Sequence, residues 1–266
     1  MVTRIGAESP AVARAALVLE TLALKPRTLS ELSEAIGIPK SSLLVILRTL
    51  TRRGFIHQEG RIFTLGIKMF TLGSAVTRWA MVEQAFRAVA EPIVQSVLGE
   101  TVHLGIRDGA EVVHIANVEG HKPIRYVARE GERLPANATA LGKVLLAYLP
   151  EDEVVSLFPN GLPKLTPLTI GSMSKFLRQL RKIRQEGYAV DLGEVDVDLR
   201  CVATPIFDPN GQVIAAVAIT APIFRLTDEK FPEFIALAKK AGQEISDRLG
   251  STATTLQADT LAGDRP

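Results

Sequence analysis

The chain contains a single cysteine in 266 residues, Cys201, which excludes a disulfide framework within the chain. It has no uninterrupted apolar run of about 18 residues, the length that marks a transmembrane helix, so no membrane contact is predicted. The opening sequence, MVTRIGAESP, lacks the apolar segment of a secretory signal. We therefore expect a cytoplasmic protein.

The chain also lacks the short motifs of common metal and nucleotide sites. It contains no CxxC, HExxH or GxGxxG sequence, so we expect neither a metal ion nor a cofactor. Cys201 is expected to be a small buried hydrophobic residue, because no signature of a nucleophile surrounds it. His103 and His114 fall in predicted strands and are expected to point to solvent. No catalytic residue is predicted.

Charge is distributed unevenly along the chain. The whole sequence has 31 basic and 29 acidic residues, a formal net charge of +2. Residues 1–78 hold 11 and 5 of these, a balance of +6, whereas residues 79–266 hold the remaining 20 and 24, a balance of −4. A basic segment joined to an acidic one is typical of a phosphate-binding module attached to a domain with another task.

Residues 28–56 have the pattern of two short helices joined by a tight turn, which is the sequence form of a helix-turn-helix. Thr28 followed three residues later by Glu31 is a capping box that begins the first helix, and Gly37 ends it. Pro39 suits the start of the second helix, where its missing N–H is not needed. The apolar stripe of this second helix comprises Leu43, Ile46, Leu47 and Leu50.

The opposite face of the second helix carries hydroxyls and cations, which suit phosphates and base edges in a DNA major groove. Its members are Lys40, Ser41, Ser42, Arg48, Thr49 and Arg52. Residues 55–64 then have the pattern of a two-stranded hairpin with Glu59 and Gly60 in the turn, which is the position of a wing. An amphipathic helix over residues 11–24 completes a three-helix core. The pattern predicts a mainly α winged helix-turn-helix domain.

The remainder of the chain predicts a helical connector followed by an α+β domain on a mainly antiparallel sheet. The connector is a helix over residues 65–79 that leads directly into a second helix over residues 82–98. Strands are predicted over residues 102–107, 112–118, 124–127, 188–192, 202–207 and 213–220. Helices are predicted over residues 138–148, 172–185 and 228–249.

Several segments together resemble the IclR family of bacterial transcriptional regulators. They are LSELSEAIGIPKSS, the Leu65-Gly66 step after the wing, ALGKVLLA, GYAVDLGE and CVATPIFDPNGQVIAAVAI. The resemblance spans about residues 10–248. It implies a winged helix-turn-helix joined to a GAF-like effector-binding domain, with dimers formed through the DNA-binding domains and often paired into tetramers. It also implies a response to small organic molecules, commonly carboxylates or aromatic catabolites.

With this resemblance, the chain divides into four parts. Residues 1–64 are expected to form the winged helix-turn-helix domain, and residues 65–80 the linker helix. Residues 81–249 are expected to form the effector-binding domain. The small and polar residues 250–266 are expected to form a disordered tail.

The resemblance implies that a dimer reads a pseudo-palindromic operator with the second helix, its flanks and the wing. The expected DNA-binding residues are Thr28, Lys40, Ser41, Ser42, Leu44, Val45, Arg48, Arg52, Arg53 and Arg61. Leu44 and Val45 are both expected to face DNA, and Val45 stands where arginine is common in the family. Valine can contact a thymine methyl group but cannot read guanine, so a different operator preference is expected.

The resemblance also implies a pocket for the effector. Its expected lining residues are Tyr126, Leu134, Ala140, Leu141, Asp191, Leu199, Cys201, Ala218 and Thr220. Two family hydroxyl positions on the last strand fall on Ala218 and Thr220, so one hydroxyl is missing. This loss favours a larger or more hydrophobic effector. A further departure is Asp198, where many relatives have glycine.

A second interpretation stays open at this point. The protein would then be a small-molecule sensor or enzyme whose winged domain contacts other proteins instead of DNA. Salt-sensitive, sequence-specific DNA binding separates the two interpretations, because a wing that joins proteins should bind DNA only weakly and without regard to sequence.

Overall fold

The structure is a computed structural model that describes residues 9–74, 77–95 and 99–251. The described chain forms two compact units, with the division between Thr77 and Arg78. Each unit has its own apolar core. Within the described ranges, no helix combines the length and apolarity needed to cross a bilayer.

The first unit consists of four helices and a three-stranded sheet. The helices are α1 (Pro10–Leu24), α2 (Leu29–Ile36), α3 (Lys40–Arg52) and α4 (Ile67–Ser74), and the strands are β1 (Arg27–Thr28), β2 (Ile56–Glu59) and β3 (Ile62–Leu65). Apolar residues of α1, α2 and α3 pack together with the hairpin of β2 and β3. Their buried members are Val18, Leu22, Leu32, Ile38, Leu43, Leu47, Leu50, Ile56 and Phe63. This is the predicted three-helix core.

Local chemistry fixes the ends of the helix-turn-helix. The Thr28 hydroxyl accepts a hydrogen bond from the Glu31 N–H, and the Glu31 carboxylate accepts one from the Thr28 N–H, which completes the predicted capping box. Gly37 ends α2 with φ of 73°, a left-handed conformation that glycine adopts without steric cost. Helix α3 begins directly after Pro39.

The wing differs from its prediction in two respects. Glu59 pairs with Ile62, so the two-residue turn is Gly60-Arg61, one residue later than predicted. Gly60 carries the positive φ of 58° that this turn requires. The additional strand β1 pairs with β3, which makes β3 the central strand of the sheet.

The second unit is built on a six-stranded antiparallel sheet with the strand order β6-β5-β4-β9-β8-β7. The strands are β4 (Thr101–Asp108), β5 (Glu111–Val118), β6 (Arg133–Pro135), β7 (Ala189–Leu192), β8 (Leu199–Phe207) and β9 (Val213–Pro222). The helices are α5 (Thr77–Ile93), α6 (Ala140–Ala147), α7 (Glu151–Leu157), α8 (Met173–Glu186) and α9 (Phe231–Arg248), with a short 3-10 helix at Asp228–Lys230. The predicted α+β class is confirmed.

Helices cover both faces of this sheet. Val217 and Ile219 of β9 pack with α5 and α9 on one face, whereas Ala216 and Ala218 pack with α6 and α8 on the other. Successive residues of a strand point to opposite faces, and β9 is apolar on both. The strand therefore lies between two apolar layers.

The predicted connector is wrong in part, and one predicted strand is wrong. Leu65 belongs to β3, so α4 begins at Ile67, and α5 begins at Thr77 rather than at residue 82. The predicted end of that second helix, residues 96–98, lies outside the described residues. Residues 124–127 are not a strand, because residues 119–132, all described, form a loop held by contacts such as Asn117 Nδ2 to the Ala128 carbonyl at 3.1 Å.

The C-terminal boundary also needs a small correction. The tail was expected from residue 250, but Gly250 and Ser251 close α9. Gly250 has φ of 83°, and the Ser251 N–H donates to the Ser246 carbonyl at 3.0 Å. The rest of the predicted tail, residues 252–266, lies outside the described residues.

Candidate functional site

The outward face of α3 is exposed and contains no acidic side chain. Val45 at its centre is 63% exposed. Around Val45 the exposed residues of this face are Ser41, Ser42, Arg48, Thr49 and Arg52. Helix α3 has no acidic residue anywhere along its length. A duplex phosphate approaching this face would meet hydroxyls and cations with no repelling carboxylate on the same helix.

Cations flank this face on three sides. Lys40 begins α3, Arg53 follows its last residue, and Arg61 lies in the wing turn. All three are exposed, as are Arg48 and Arg52. Among the residues that the structure describes, none of these five cations forms an ion pair with a carboxylate. Their charge is therefore available to a partner.

A depression separates α3 from the wing and explains the placement of Leu44. It is lined by Thr28, Leu29, Ser30, Leu44, Gln58, Gly60, Arg61 and Phe63. Leu44 is half-buried there and is therefore less accessible than Val45, so its contact with DNA stays a prediction. Each residue of a helix turns about 100° from the last, and this rotation directs Leu44 towards the wing. Thr28 lies in the same depression with its hydroxyl occupied by the capping box.

The second unit contains a cavity at the start of α6, which we call the central cavity. It measures about 390 Å³ when its open mouth is included. Its lining residues are His103, His114, Tyr126, Leu134, Thr139, Ala140, Leu141, Asp191, Val195, Leu199, Cys201 and Thr220. All the residues expected for the effector pocket are therefore brought together here, with the exception of Ala218.

Ala218 lies in the core rather than in the cavity wall. It is paired with His103 of β4 and Ala203 of β8, and it packs under α6 with no exposed surface. The missing hydroxyl at this position therefore removes no polar group from the wall. The expectation of a larger or more hydrophobic effector loses its basis.

Four lining residues were missed: His103, Thr139, His114 and Val195. The two histidines were expected to face solvent, and this is wrong, because His103 is 1% and His114 4% exposed. A partial sequence signal for His114 exists in the strand alternation, since Val112, two residues earlier, is buried on the face of β5 that packs with α6. A β-bulge after His114 then places Ala116 in the core on the other face. No comparable signal marks His103, because β4 is buried on both faces.

The buried histidines form one wall of the cavity. Their ring centroids lie 5.4 Å apart in an edge-to-face arrangement, and His103 lies 5.6 Å from the Tyr126 ring. None of their four ring nitrogens has a hydrogen-bond partner among the described residues. Burial lowers the pKa of His103 to about 3, and burial also lowers the pKa of His114. Both rings are therefore neutral at pH 7.

Asp191 and Cys201 occupy the opposite side of the cavity. Burial raises the pKa of Asp191 to about 6, against the opposing effect of the hydrogen bond that its Oδ1 accepts from the Glu194 N–H at 2.6 Å. Burial raises the pKa of Cys201 to about 12, so its thiol is protonated. Thr220 Oγ1 donates to Cys201 Sγ at 3.2 Å. A protonated thiol is a poor nucleophile, which disfavours cysteine catalysis at this position.

The N-terminus of α6 supplies backbone donors to the cavity. Thr139 Oγ1 accepts the Gly142 N–H at 2.9 Å and so caps the helix. The first N–H groups of a helix have no partner within it, and Ala140 and Leu141 at these positions both line the cavity. A side chain at Gly142 would place its Cβ 2.3 Å from the Ala136 backbone. Only glycine allows α6 to begin this close to the preceding segment.

A buried ion pair behind the cavity fixes the position of Asp191. Lys143 of α6 has no exposed surface, and its Nζ donates to Glu194 and to the Val190 carbonyl. Glu194 in turn donates its N–H to Asp191. The lysine charge is thus satisfied by Glu194. Among the described residues that line the central cavity there is no lysine or arginine.

A second buried carboxylate holds the loop that carries Tyr126. Arg225 Nε and Nη2 contact the two oxygens of Glu100, and Lys122 Nζ donates to the same carboxylate at 2.8 Å. Arg225 also donates to the Ile124 carbonyl. Burial acts to raise the pKa of Glu100, but the bonds from Arg225 and Lys122 outweigh it and hold that pKa below its usual value. The loop over residues 119–132 is thereby anchored beside the cavity.

In the described parts of the chain, no group of three or more His, Cys, Asp and Glu side chains is placed to hold a metal ion. The polar groups of the central cavity are instead neutral rings, a thiol, a hydroxyl, one carboxylate and backbone N–H groups. This is the chemistry of a site that binds an organic molecule.

Comparison with known proteins agrees with both units. The family profile for the IclR helix-turn-helix domain matches residues 11–60, and the profile for the bacterial transcriptional regulator IclR C-terminal domain matches residues 75–247. The chain belongs to the IclR family. The predicted family and the predicted two-part fold class are confirmed.

Individual relatives align with most of this chain. The HTH-type transcriptional regulator KdgR of Dickeya chrysanthemi is 34% identical over 84% of this chain and 73% of its own length. The HTH-type transcriptional repressor AllR of Escherichia coli K12 is 33% identical over 85% of this chain and 84% of its own. The crystal structure of Thermotoga maritima IclR matches with a TM-score of 0.72 and 33% identity, covering 90% and 98% of the two chains. These relatives are named as regulators, not as enzymes.

The buried ion pair generates a stability prediction. We expect Lys143→Met to lower the free energy of unfolding by about 3 to 5 kcal/mol, because Glu194 would remain buried without its cation. Lys182→Met provides the control, since Lys182 forms an exposed ion pair with Glu186 at 3.6 Å and should cost less than about 1 kcal/mol. Urea unfolding of the three proteins measures both values. Equal losses in the two variants would show that the buried pair has no special role.

Asp191 generates a prediction about pH. Its folded pKa of about 6 lies above the ordinary value of about 3.8 for an exposed aspartate, so the folded state binds the proton more tightly than the unfolded state. Its contribution is complete below about pH 4 and is lost as the pH rises through about 6, with a total on the order of 2 to 3 kcal/mol. Between these limits, wild type should lose stability relative to Asp191→Asn. The difference between the two unfolding free energies isolates this group from the histidines, and a difference that does not change with pH would contradict the shift.

Proposed function

We propose that this protein is a transcriptional regulator that binds a pseudo-palindromic DNA operator, and that a small organic acid bound in the central cavity changes its affinity for that operator. The observation that carries the DNA-binding part is the exposed face of α3, which has no acidic residue on the helix and whose cations, on the face and at its edges, pair with no carboxylate of the described residues. The family membership supports the same conclusion. Direct contacts are assigned to the exposed hydroxyls and cations, with Val45 at the centre of the base-reading surface.

We assign the operator contacts in two groups. Phosphate contacts come from Lys40, Arg48, Arg52, Arg53 and Arg61. Base-edge contacts come from Ser41, Ser42 and Val45, which project from the middle of the face. Thr28 and Leu44 act on the geometry of the helix and wing, since one caps α2 and the other is half-buried against the hairpin.

A homodimer is the proposed DNA-binding form, alone or paired into a dimer of dimers. Two recognition helices about 34 Å apart can enter successive major grooves of one operator. The first unit carries large exposed apolar side chains outside its DNA-binding face, a composition that marks protein contact surfaces. They include Val12, Leu17 and Leu24 of α1 and Ile67, Phe70 and Leu72 of α4. We assign these residues to the contact between the two copies.

The proposed effector is an organic acid whose carboxylate accepts hydrogen bonds from the first N–H groups of α6. Helix N-termini bind anions because unpaired N–H groups and the helix dipole act together. Ala140 and Leu141 provide these groups, and Leu134 and Leu199 provide apolar walls. The acid changes DNA binding only if it has different affinities for the two states of the protein, because equal affinities shift no equilibrium.

The rival interpretation, a sensor or enzyme whose winged domain joins proteins, predicts different behaviour on DNA. The enzyme form of this interpretation is disfavoured by the central cavity, because the only thiol there, Cys201, is protonated with a pKa of about 12. Salt dependence separates the two directly. A regulator should bind its operator specifically, and its affinity should fall steeply as salt rises.

The test is a gel-shift titration on the DNA immediately upstream of the protein's own gene. We expect a discrete complex at nanomolar protein, at about 150 mM salt with excess non-specific competitor DNA. Adding benzoate or 4-hydroxybenzoate to the complex then tests for release or tightening. Binding that disappears with competitor at every salt concentration, on this DNA and on genomic fragments selected for binding, would favour the rival interpretation.

Arg52 is predicted to contact a phosphate. Arg52→Ala should weaken binding by a similar factor on specific and non-specific DNA, and should reduce the slope of log affinity against log salt by about one. Lys175→Ala is a matched control, because it removes an exposed cation from α8 in the second unit. An unchanged slope for Arg52→Ala would remove this residue from the phosphate contacts.

Val45 is predicted to read bases. Val45→Arg should change which operator sequences are selected from a random DNA library, with guanine gained at one position of each half-site, because arginine binds guanine bidentately. Val45→Ala controls for loss of the valine side chain and should weaken selection at the same position without new guanine preference. If Val45→Arg selects the same sequences as wild type, Val45 does not face a base.

A further inference from the structure

Two buried histidines in the wall of the central cavity have polar atoms that nothing in the described chain satisfies. His103 lies on β4 and His114 on the neighbouring strand β5, where it faces Gly105. All four of their ring nitrogens are buried and have no hydrogen-bond partner among the residues that the structure describes. Folded proteins rarely leave buried polar atoms unpaired. In a cavity wall, such atoms mark the place where a bound molecule supplies the partner.

The histidines and Tyr126 form a continuous wall of three rings. His103 is the central ring, 5.4 Å from His114 and 5.6 Å from Tyr126. Tyr126 lies in the loop that Glu100 and Arg225 anchor. The wall therefore has a rigid strand side and a fixed loop side. A bound group that reaches it meets rings already held in place.

The two imidazoles are neutral, which decides what they can bind. Burial keeps the pKa of both below its usual value, and for His114 the nearby Glu132 opposes this effect without cancelling it. A neutral imidazole has one N–H donor and one acceptor nitrogen. The pair therefore offers two donors and two acceptors but no positive charge. Its partner should be a group that both donates and accepts a hydrogen bond.

We propose that His103 and His114 form a subsite that recognises a neutral hydroxyl group, and that the effector is consequently a hydroxylated organic acid. A hydroxyl donates one proton and accepts through two lone pairs, so it can bond to both rings. A carboxylate only accepts and an ammonium only donates, and either one leaves imidazole atoms of one kind unpaired. This inference rests on the proposed function. There, the carboxylate of the acid binds the N-terminus of α6, and here the hydroxyl at the other end of the same acid binds the histidines.

Charge in the cavity argues against a second carboxylate as the occupant of this subsite. Asp191 lines the same cavity, and the nearest buried cation, Lys143, is paired with Glu194. A dicarboxylate would therefore place its second charge among neutral rings and near a carboxyl group. Burying an anion without a counter-charge is costly. The hydroxyl avoids this cost and pairs with a donor nitrogen and an acceptor nitrogen, one on each ring.

The experiment compares matched acids by isothermal titration of the full-length protein. One series is benzoate, 4-hydroxybenzoate and terephthalate, and the other is propanoate, 3-hydroxypropanoate and succinate. In at least one series, we expect the hydroxylated acid to bind at least about tenfold more tightly than the plain acid and the dicarboxylate, which is the size of one net hydrogen bond. Tighter binding of terephthalate or succinate than of the hydroxylated acid would overturn the proposal.

Ring variants connect the preference to the histidines. His103→Phe and His114→Phe keep an aromatic ring and remove its nitrogens, so each should reduce the preference for the hydroxylated acid to about threefold or less. His57→Phe is the control, because His57 is an exposed histidine of the wing and the preference should survive there. An unchanged preference in both cavity variants would overturn the subsite while leaving acid binding, and the proposed function, intact.

A measurement on wild type covers the case in which a variant does not fold. The chain has only four histidines, so their ring nitrogens give few signals in a ¹⁵N-histidine NMR spectrum. Saturation with the hydroxylated acid should move the signals of the two buried rings and not that of His57. Binding of the acid without movement of either buried ring would contradict the proposal. If none of the six acids binds at about 10 mM, the acid-sensing part of the proposed function fails and this inference fails with it, whereas operator binding is measured separately.

Discussion

The register of three strands determines the chemistry of the central cavity. Asp191 of β7 pairs with Cys201 of β8, and Cys201 pairs with Thr220 of β9. This row places a carboxyl, a thiol and a hydroxyl side by side on the sheet face that α6 covers. A slip of one residue in any of these strands would turn its side chains to the opposite face. The cavity therefore depends on backbone pairing before it depends on any side-chain contact.

Two sets of buried ion pairs hold segments of the second unit together. Lys143 and Glu194 join α6 to the end of β7, and Glu100 joins the loop over residues 119–132 to Arg225. Both pairs satisfy their charges within the protein. A molecule bound in the central cavity would meet neutral groups and one carboxyl, that of Asp191, whose pKa is raised. Selectivity in such a site comes from hydrogen-bond direction more than from net attraction.

The features that sequence predicted well are those specified by local chemistry. The capping box of Thr28 and Glu31 and the left-handed Gly37 depend on residues only a few positions apart, and the apolar stripe of α3 depends on helical periodicity alone. The family resemblance then located most of the cavity wall, and three of its motifs contribute Ala140, Leu141, Asp191 and Cys201.

The errors arise where contacts between distant segments decide the structure. Residues 124–127 have the alternation of a strand, but Arg225, far along the chain, binds the Ile124 carbonyl and holds a loop. His103 is polar in sequence yet buried, because β4 is buried on both faces. Ala218 shares a face with Thr220, yet it lies under α6 and outside the cavity. None of these facts follows from neighbours in sequence.

The long-range pairing of β4 with β9 has a consequence for synthesis on the ribosome. The contacts of the first unit lie within the first 77 residues. In the second sheet, by contrast, Thr101 of β4 pairs with Thr220 of β9, so the centre of that sheet forms only after β9 has been synthesised. Domains near the N-terminus fold first as a chain emerges. The helix-turn-helix can therefore be complete while the central strands of the second unit are still unpaired. A nascent chain in that interval has a complete α3 but does not yet have the central cavity.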